Sequence, residues 1–136
     1  MKVTVCGALP DEYGWIAQRA RLVPDRSFRA IKAIDESGRI LAMVGYDGWM
    51  DNACCAHIAV EHPAALRHVL RAGFRVPFVE LGLGVLIAKV LSTNARSLAL
   101  VKHLGFREVC RGKDWVRPGV DLIVLEMRRE ECKWAA

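Results

Sequence analysis

The 136-residue sequence lacks several features that would place it in a specialised class of protein. No apolar run approaches the roughly 20 residues that span a bilayer, so no transmembrane helix is predicted. The N-terminal stretch from Met1 carries one lysine and a short apolar run that Pro10 and Asp11 interrupt, which is not the pattern of a signal peptide. Repeats, linkers and low-complexity tracts are also absent. We therefore expect one domain, residues 1–136, in the cytoplasm.

The cysteines and the charges exclude further classes. Five cysteines, an odd number without regular spacing, argue against a disulfide framework and fit a reducing compartment. They form no recognised zinc spacing with the histidines, so no metal site is predicted. The formal net charge of +5 is modest and is compatible with an acidic partner, such as coenzyme A or nucleic acid, or with no specific partner. Because neither an RNA-recognition motif nor a zinc finger accompanies this charge, nucleic acid is not the favoured partner.

The most informative stretch follows residue 84. Val85 to Leu91 is an apolar run that predicts a buried strand. It ends in a polar cluster whose last member, Asn94, is a favoured helix N-cap. Leu98 and Val101 then recur at helical spacing, and Gly105 suits the left-handed backbone of a C-cap. We expect a helix from about Asn94 to about Gly105.

This strand, followed by Asn-x-x-Ser and a short helix closed by Leu-Gly-Phe, resembles the coenzyme A side of the GNAT superfamily of N-acetyltransferases. The residues that carry the likeness are Asn94, Ser97, Leu104, Gly105 and Phe106. The pattern is most similar to the ribosomal-protein and aminoacyl acetyltransferase branch, and a weaker likeness extends from about Arg39 to about Arg129. It implies transfer of an acetyl group from acetyl-coenzyme A to a primary amine by direct attack in a ternary complex.

Other segments can be interpreted from their apolar periodicity. Six further strands are predicted at Val3–Leu9, Arg29–Asp35, Ile40–Trp49, Ala53–Glu61, Phe106–Cys110 and Asp121–Met127, the last two joined by a polar loop. One helix should begin at Pro10 and stop before Pro24. A second should begin at Pro63 and break at Gly73 and Pro77 into two pieces.

The resemblance implies how these elements are arranged. We expect a mixed α/β (α+β) domain with a twisted, mostly antiparallel sheet of six or seven strands and helices on both faces. The fourth and fifth strands should form a parallel pair that splays apart, with the pantetheine arm of the cofactor between them. By the resemblance, backbone groups near Ile58, Ala59 and Val60 bind that arm, and Asn94 contacts it while capping its helix. A structural cap alone is the alternative for Asn94.

The pyrophosphate loop of the family is altered here. The family pattern, Arg/Gln-x-x-Gly-x-Gly/Ala, is replaced by residues 62–68, which contain no glycine. A helix N-terminus can bind phosphate through its amides and its dipole, and Arg67 or Arg71 could supply positive charge.

Acetyl transfer also needs a base for the amine and a proton donor for the departing thiolate. By the resemblance, Ser97 is the donor, because the tyrosine that many family members carry four residues later is Val101 here. Glu61 is the first choice of base, since strand alternation places it with His57 on the more polar face of the fourth strand. His57 is the second, because histidine is the residue type that exchanges protons most readily near neutral pH. Each residue also has a purely structural alternative: Glu61 as a solvated surface carboxylate, and His57 as a histidine packed against its neighbours.

Two other functions remain open from the sequence. The altered loop and the absent tyrosine suit a GNAT-fold protein that has lost catalysis and acts as a binding or assembly module. A ridge of Arg67, Arg71 and Arg75 suits a protein associated with nucleic acid. The identity of the amine is open, and the resemblance raises the expectation of a homodimer.

Overall fold

The computed structural model describes residues 1–135, which form one sheet with helices on both of its faces. The strands are β1 (Thr4–Gly7), β2 (Arg29–Ile34), β3 (Ile40–Asp47), β4 (Ala53–Val60), β5 (Val85–Leu91), β6 (Arg107–Arg117) and β7 (Val120–Arg128). The α-helices are α1 (Tyr13–Ala20), α2 (Leu66–Arg75) and α3 (Ala95–Leu104). Short 3-10 turns precede α1 and α2 at Pro10–Glu12 and Pro63–Ala65. No helix in this part of the chain is long and apolar enough to cross a membrane.

The seven strands lie in the order β1-β2-β3-β4-β5-β7-β6. Every neighbouring pair is antiparallel except β4 with β5, which is parallel. In that pair, only Ala53–Cys55 of β4 lie opposite residues of β5, namely Val85–Ile87. The predicted mixed α/β sheet, with one parallel pair that separates, is therefore confirmed.

Two apolar cores hold the helices against the sheet. On one face, Ile16 of α1 is fully buried with Phe28, Met43 and Ala59. On the other face, α2 and α3 share one larger core with the strands. Because α1 covers only the β3 and β4 side of its face, the β5 and β7 part of that face carries no helix among the described residues.

The segment from β5 to α3 folds as its local sequence predicts. The Asn94 side chain accepts a hydrogen bond from the Ser97 backbone nitrogen at 3.1 Å, which makes Asn94 the N-cap of α3. Gly105 closes the helix in the left-handed conformation with φ of 115°. Both predicted helix ends are confirmed, because each depends on interactions within a few residues of the chain.

Gly73 does not break the second helix as predicted. α2 continues through it to Arg75, and a π-turn over Val76–Glu80 takes in Pro77. Gly73 is buried against β3, where its carbonyl accepts a hydrogen bond from the Tyr46 hydroxyl at 2.7 Å. The glycine therefore allows close packing of helix on sheet, which is a tertiary role that the local sequence does not distinguish from a helix stop.

The predicted polar loop between the last two strands is also wrong. β6 and β7 form one long hairpin that turns at Pro118 and Gly119, and Gly119 has φ of 84°. A register irregularity between Gly112 and Arg117 accommodates the polar residues within β6. Residues 113–116 have no register partner on β7, and the Asp114 backbone nitrogen donates instead to Oδ1 of Asp121. A side-chain contact from β7 therefore helps to hold an extended segment whose local sequence predicts a loop.

Candidate active site

The separation of β4 from β5 creates an opening in the middle of the sheet. Beyond Cys55, residues Ala56–Val60 pair with β3 but with no strand on their other side. Beyond Ile87, residues 88–91 of β5 pair only with β7. Two strand edges with unpaired backbone groups thus face each other, and such groups require hydrogen-bonding partners. Ile58, Ala59 and Val60, the predicted cofactor-binding backbone, lie on the β4 edge.

A cavity beneath this opening is almost wholly apolar. Its walls come from β3, β4, β5, α2, α3 and the segment that follows α3. They comprise Val44, Ala56, His57, Ile58, Leu70, Gly73, Phe74, Leu86, Ala88, Val101, Leu104 and Phe106. The Leu-Gly-Phe signature therefore contributes two wall residues. A slim, largely apolar chain with amide groups matches both the cavity wall and the strand edges.

The N-terminus of α2 has fewer free amides than a phosphate-binding helix offers. The His62 Nδ1 atom accepts a hydrogen bond from the Ala64 backbone nitrogen at 3.3 Å. The Ala65 and Leu66 nitrogens donate to the carbonyls of His62 and Pro63. An anion at this turn would therefore depend on side-chain charge more than on backbone amides.

Arg67 and Arg71 lie on a different side of α2 from the cavity. Leu70, Gly73 and Phe74 face the cavity, whereas the two arginines line a surface cleft with Val5 of β1. Arg67 lies in the first turn of α2, at the end where β4 leads into the helix. Of the two predicted cations, it is the nearer in sequence to the opening.

Ser97 lies on the cavity side of α3. It precedes Val101 by four residues and Leu104 by seven, which places the three side chains on one face of the helix. Val101 and Leu104 are buried in the cavity wall, whereas Ser97 is partly exposed one turn closer to the helix start. Ser97 therefore follows this face of α3 beyond the cavity lining, which ends at Val101.

His57 lies two residues beyond Cys55, the last residue of β4 that pairs with β5, and it has a carboxylate partner. Its Nε2 atom lies 2.8 Å from Oδ1 of Asp47, and the two side chains are 22% and 24% exposed. If Nε2 carries the proton of a neutral imidazole, it donates to Asp47, and the lone pair of Nδ1 is left to accept a proton. Asp47 was not predicted, because Asp-Gly at residues 47–48 is typical of a turn.

Glu61 is held in an ion pair. Its Oε2 atom lies 3.0 Å from the Arg19 guanidinium, and the Glu61 side chain is 44% exposed. The same guanidinium lies 3.9 Å from the ring centroid of Trp15. The pair links the end of β4 to α1 and keeps the carboxylate beside a fixed positive charge.

Cys55 shares its face of β4 with His57, but its environment does not favour a nucleophile. It is only 6% exposed, and burial raises the pKa of its thiol, an effect that the nearby Lys89 opposes in part. A thiol with a raised pKa is mostly protonated at neutral pH, and the thiolate is the reactive form.

No protein-family model and no curated protein sequence matches this chain. Solved structures do match its fold. A mutant form of the spermidine/spermine N-acetyltransferase SpeG from Vibrio cholerae has a TM-score of 0.77 at 11% identity, over 95% of this chain and 96% of that chain. The same enzyme in complex with manganese ions has a TM-score of 0.75 at 12% identity, over 95% of this chain and 94% of that chain. A protein proposed to be a phosphinothricin N-acetyltransferase has a TM-score of 0.72 at 18% identity, over 93% of this chain and 98% of that chain.

At these identities the comparisons establish the architecture of the chain. The solved neighbours are N-acetyltransferases, and their folds match this sheet over nearly the whole of both chains. The fold of this protein is therefore that of the GNAT N-acetyltransferases.

Proposed function

We propose that this protein transfers an acetyl group from acetyl-coenzyme A to a primary amine. The observation that carries the proposal is the opening between β4 and β5, where two unpaired strand edges border an apolar cavity and His57 is paired with Asp47. The opening supplies a binding channel, and the histidine supplies a proton acceptor beside it. The fold, shared with N-acetyltransferases, supports the same function.

In this proposal the pantetheine arm lies along the free edge of β4 and hydrogen-bonds to the backbone near Ile58, Ala59 and Val60. Asn94 contacts the arm while it caps α3. Arg67 and Arg71 attract the pyrophosphate, since the first amides of the α2 segment already have partners.

His57 is the proposed base. The amine attacks the thioester carbonyl carbon directly in the ternary complex, and the new C–N bond forms as the amine proton passes to Nδ1 of the imidazole. Asp47, whose Oδ1 lies 2.8 Å from Nε2, orients the ring by accepting a hydrogen bond from it. Glu61 is the second candidate, because its carboxylate is already engaged by the Arg19 guanidinium at 3.0 Å.

Ser97 is the proposed donor to the leaving group. As the C–S bond breaks, the Ser97 hydroxyl donates a hydrogen bond to the departing thiolate, which then takes a proton from solvent. The position of Ser97 on the cavity face of α3 supports this role.

The first test of the proposal is calorimetric titration with acetyl-coenzyme A and, separately, free coenzyme A. Micromolar binding of both supports a working channel despite the glycine-free loop. Absence of binding up to millimolar concentration contradicts the proposal and leaves a protein that has the fold without the cofactor.

The second test measures release of free thiol from acetyl-coenzyme A with a panel of amines. The panel contains spermidine and phosphinothricin, which the names of the structural neighbours suggest, and a peptide with a free N-terminus, which the sequence resemblance suggests. His57→Gln should lower kcat by about 10² to 10⁴, the usual contribution of a general base. Glu61→Gln is the matched control at the other candidate base, and a larger loss in that variant would reassign the role.

A further inference from the structure

A row of three arginines runs along one side of α2. Arg67, Arg71 and Arg75 are four residues apart, so successive side chains rise by about 6 Å along the helix axis. All three are exposed, and with His68 and Ala72 they line the surface cleft between α2 and Val5 of β1.

The charge of this row is not balanced by neighbouring acids. None of the three arginines forms an ion pair within residues 1–135, whereas elsewhere carboxylates pair with Arg19, Arg107, Arg111 and Arg128. α2 itself contains no acidic residue. Because like charges four residues apart repel each other on a helix, the row favours an external ligand with several negative charges.

The pyrophosphate of the proposed cofactor cannot account for the whole row. Arg75 lies about 12 Å beyond Arg67 along the axis, at the opposite end of α2. The two phosphates of a pyrophosphate share one bridging oxygen, so they do not reach both residues. The cleft with Val5 also lies on a different side of α2 from the cavity under the strand opening.

We propose that the Arg67, Arg71 and Arg75 row binds the phosphate backbone of double-stranded nucleic acid. Regularly spaced phosphates match regularly spaced guanidinium groups, whose planar fork suits phosphate oxygens. The cleft lining contains no phenylalanine, tyrosine or tryptophan on which unpaired bases could stack, which disfavours a single strand. Contacts to phosphate alone carry no sequence information, so the binding is independent of sequence.

The salt dependence of binding to a fluorescent duplex of about 20 base pairs tests this inference. Three phosphate contacts predict that log K falls with log salt at a slope of about −2.7 between about 50 and about 200 mM. Arg75→Gln should reduce the magnitude of the slope by about 0.9. Arg117→Gln, an exposed arginine on β6 at the opposite edge of the sheet, should leave it unchanged.

Three results would overturn the inference: no binding at about 50 mM salt, equal effects of the Arg75 and Arg117 variants, or tighter binding to the corresponding single strand. Arg67 and Arg71 also serve the proposed cofactor site, so titration of Arg75→Gln with acetyl-coenzyme A examines the one arginine of the row that the two sites do not share. Unchanged cofactor affinity alongside weakened duplex binding is the expected outcome. Equal weakening of both would place Arg75 in the cofactor site and overturn the inference.

Discussion

At the residue scale, the chemistry of the opening depends on which polar groups already have partners. His57 and Glu61 lie on the same face of β4, yet their partners differ. Asp47 offers His57 a hydrogen-bond acceptor, which leaves the Nδ1 lone pair available when Nε2 carries the proton, whereas the Arg19 guanidinium engages the Glu61 carboxylate. The histidine therefore presents a proton-accepting atom, which is what a general base requires.

Ser97 and Asn94 allow catalysis and helix capping to be separated. Ser97→Ala should lower kcat while stability is unchanged, because the cap uses the Ser97 backbone nitrogen and not its hydroxyl. Asn94→Ala should instead cost about 1 kcal/mol of unfolding free energy by removing the cap. Urea unfolding and steady-state rates measure the two effects. Full activity of Ser97→Ala would remove the serine from the mechanism.

Glu12 connects the start of α1 to β2. One carboxylate oxygen accepts a hydrogen bond from the Leu9 backbone nitrogen, and the other lies 2.6 Å from the Lys32 ammonium. These contacts, the Leu9 bond first, lower the pKa of Glu12, and the carboxylate raises the pKa of Lys32. Glu12→Gln should therefore destabilise the fold by about 1 kcal/mol at neutral pH.

The pH dependence of that loss follows from the lowered pKa of Glu12. A group with a depressed folded-state pKa stabilises the fold above its unfolded pKa, near 4.5 here, and loses that contribution as the pH falls through the folded value. The difference in unfolding free energy between Glu12→Gln and the parent protein should therefore shrink below about pH 4. Urea unfolding at a series of pH values measures it. Glu130→Gln, at an exposed carboxylate without an ion pair among the described residues, is the control.

At the element scale, glycines set how closely helices and aromatic rings approach the sheet. The Phe28 ring lies directly over Gly45 of β3, where a Cβ atom would overlap it. Gly73 likewise brings α2 close to β3.

The sequence predicted the bounds of β5, α3 and most strands, because those follow from local periodicity and caps. It predicted a helix break at Gly73, because a glycine that packs closely has no distinct local signal.

Two glycine-to-alanine substitutions should have opposite effects on stability. Gly45→Ala should cost about 1 to 3 kcal/mol, since the fully buried Phe28 has no space into which to move. Gly14→Ala should gain up to about 1 kcal/mol from helix propensity, because a Cβ at that position on α1 would meet no atom within 4 Å. Thermal or urea unfolding measures both, and a neutral Gly45 variant would contradict the close packing.

At the scale of the whole molecule, the sheet is continuous except at the opening between β4 and β5. The only three residue pairs that join those strands include Cys54 and Cys55, so these thiols report whether the junction stays closed. Burial raises the pKa of Cys54 to about 12 and also raises that of Cys55.

Thiol labelling should follow this arrangement. At pH near 8 a small alkylating reagent should modify the exposed Cys6 and Cys110 first, and Cys54 and Cys55 only after unfolding. Mass spectrometry of the labelled peptides gives the order. Early labelling of Cys55 in native protein would show that the β4–β5 junction opens.

The sequence by itself determined the features that neighbouring residues encode. The β5–α3 unit, its Asn94 cap and its Gly105 end were predictable, because each depends on contacts within a few positions. Only the tertiary structure decided that Asp47 meets His57, that Arg19 holds Glu61, and that the Arg67 and Arg71 side chains turn away from the cavity. Those contacts join segments that strand register and helix rotation bring together, and no local pattern specifies either.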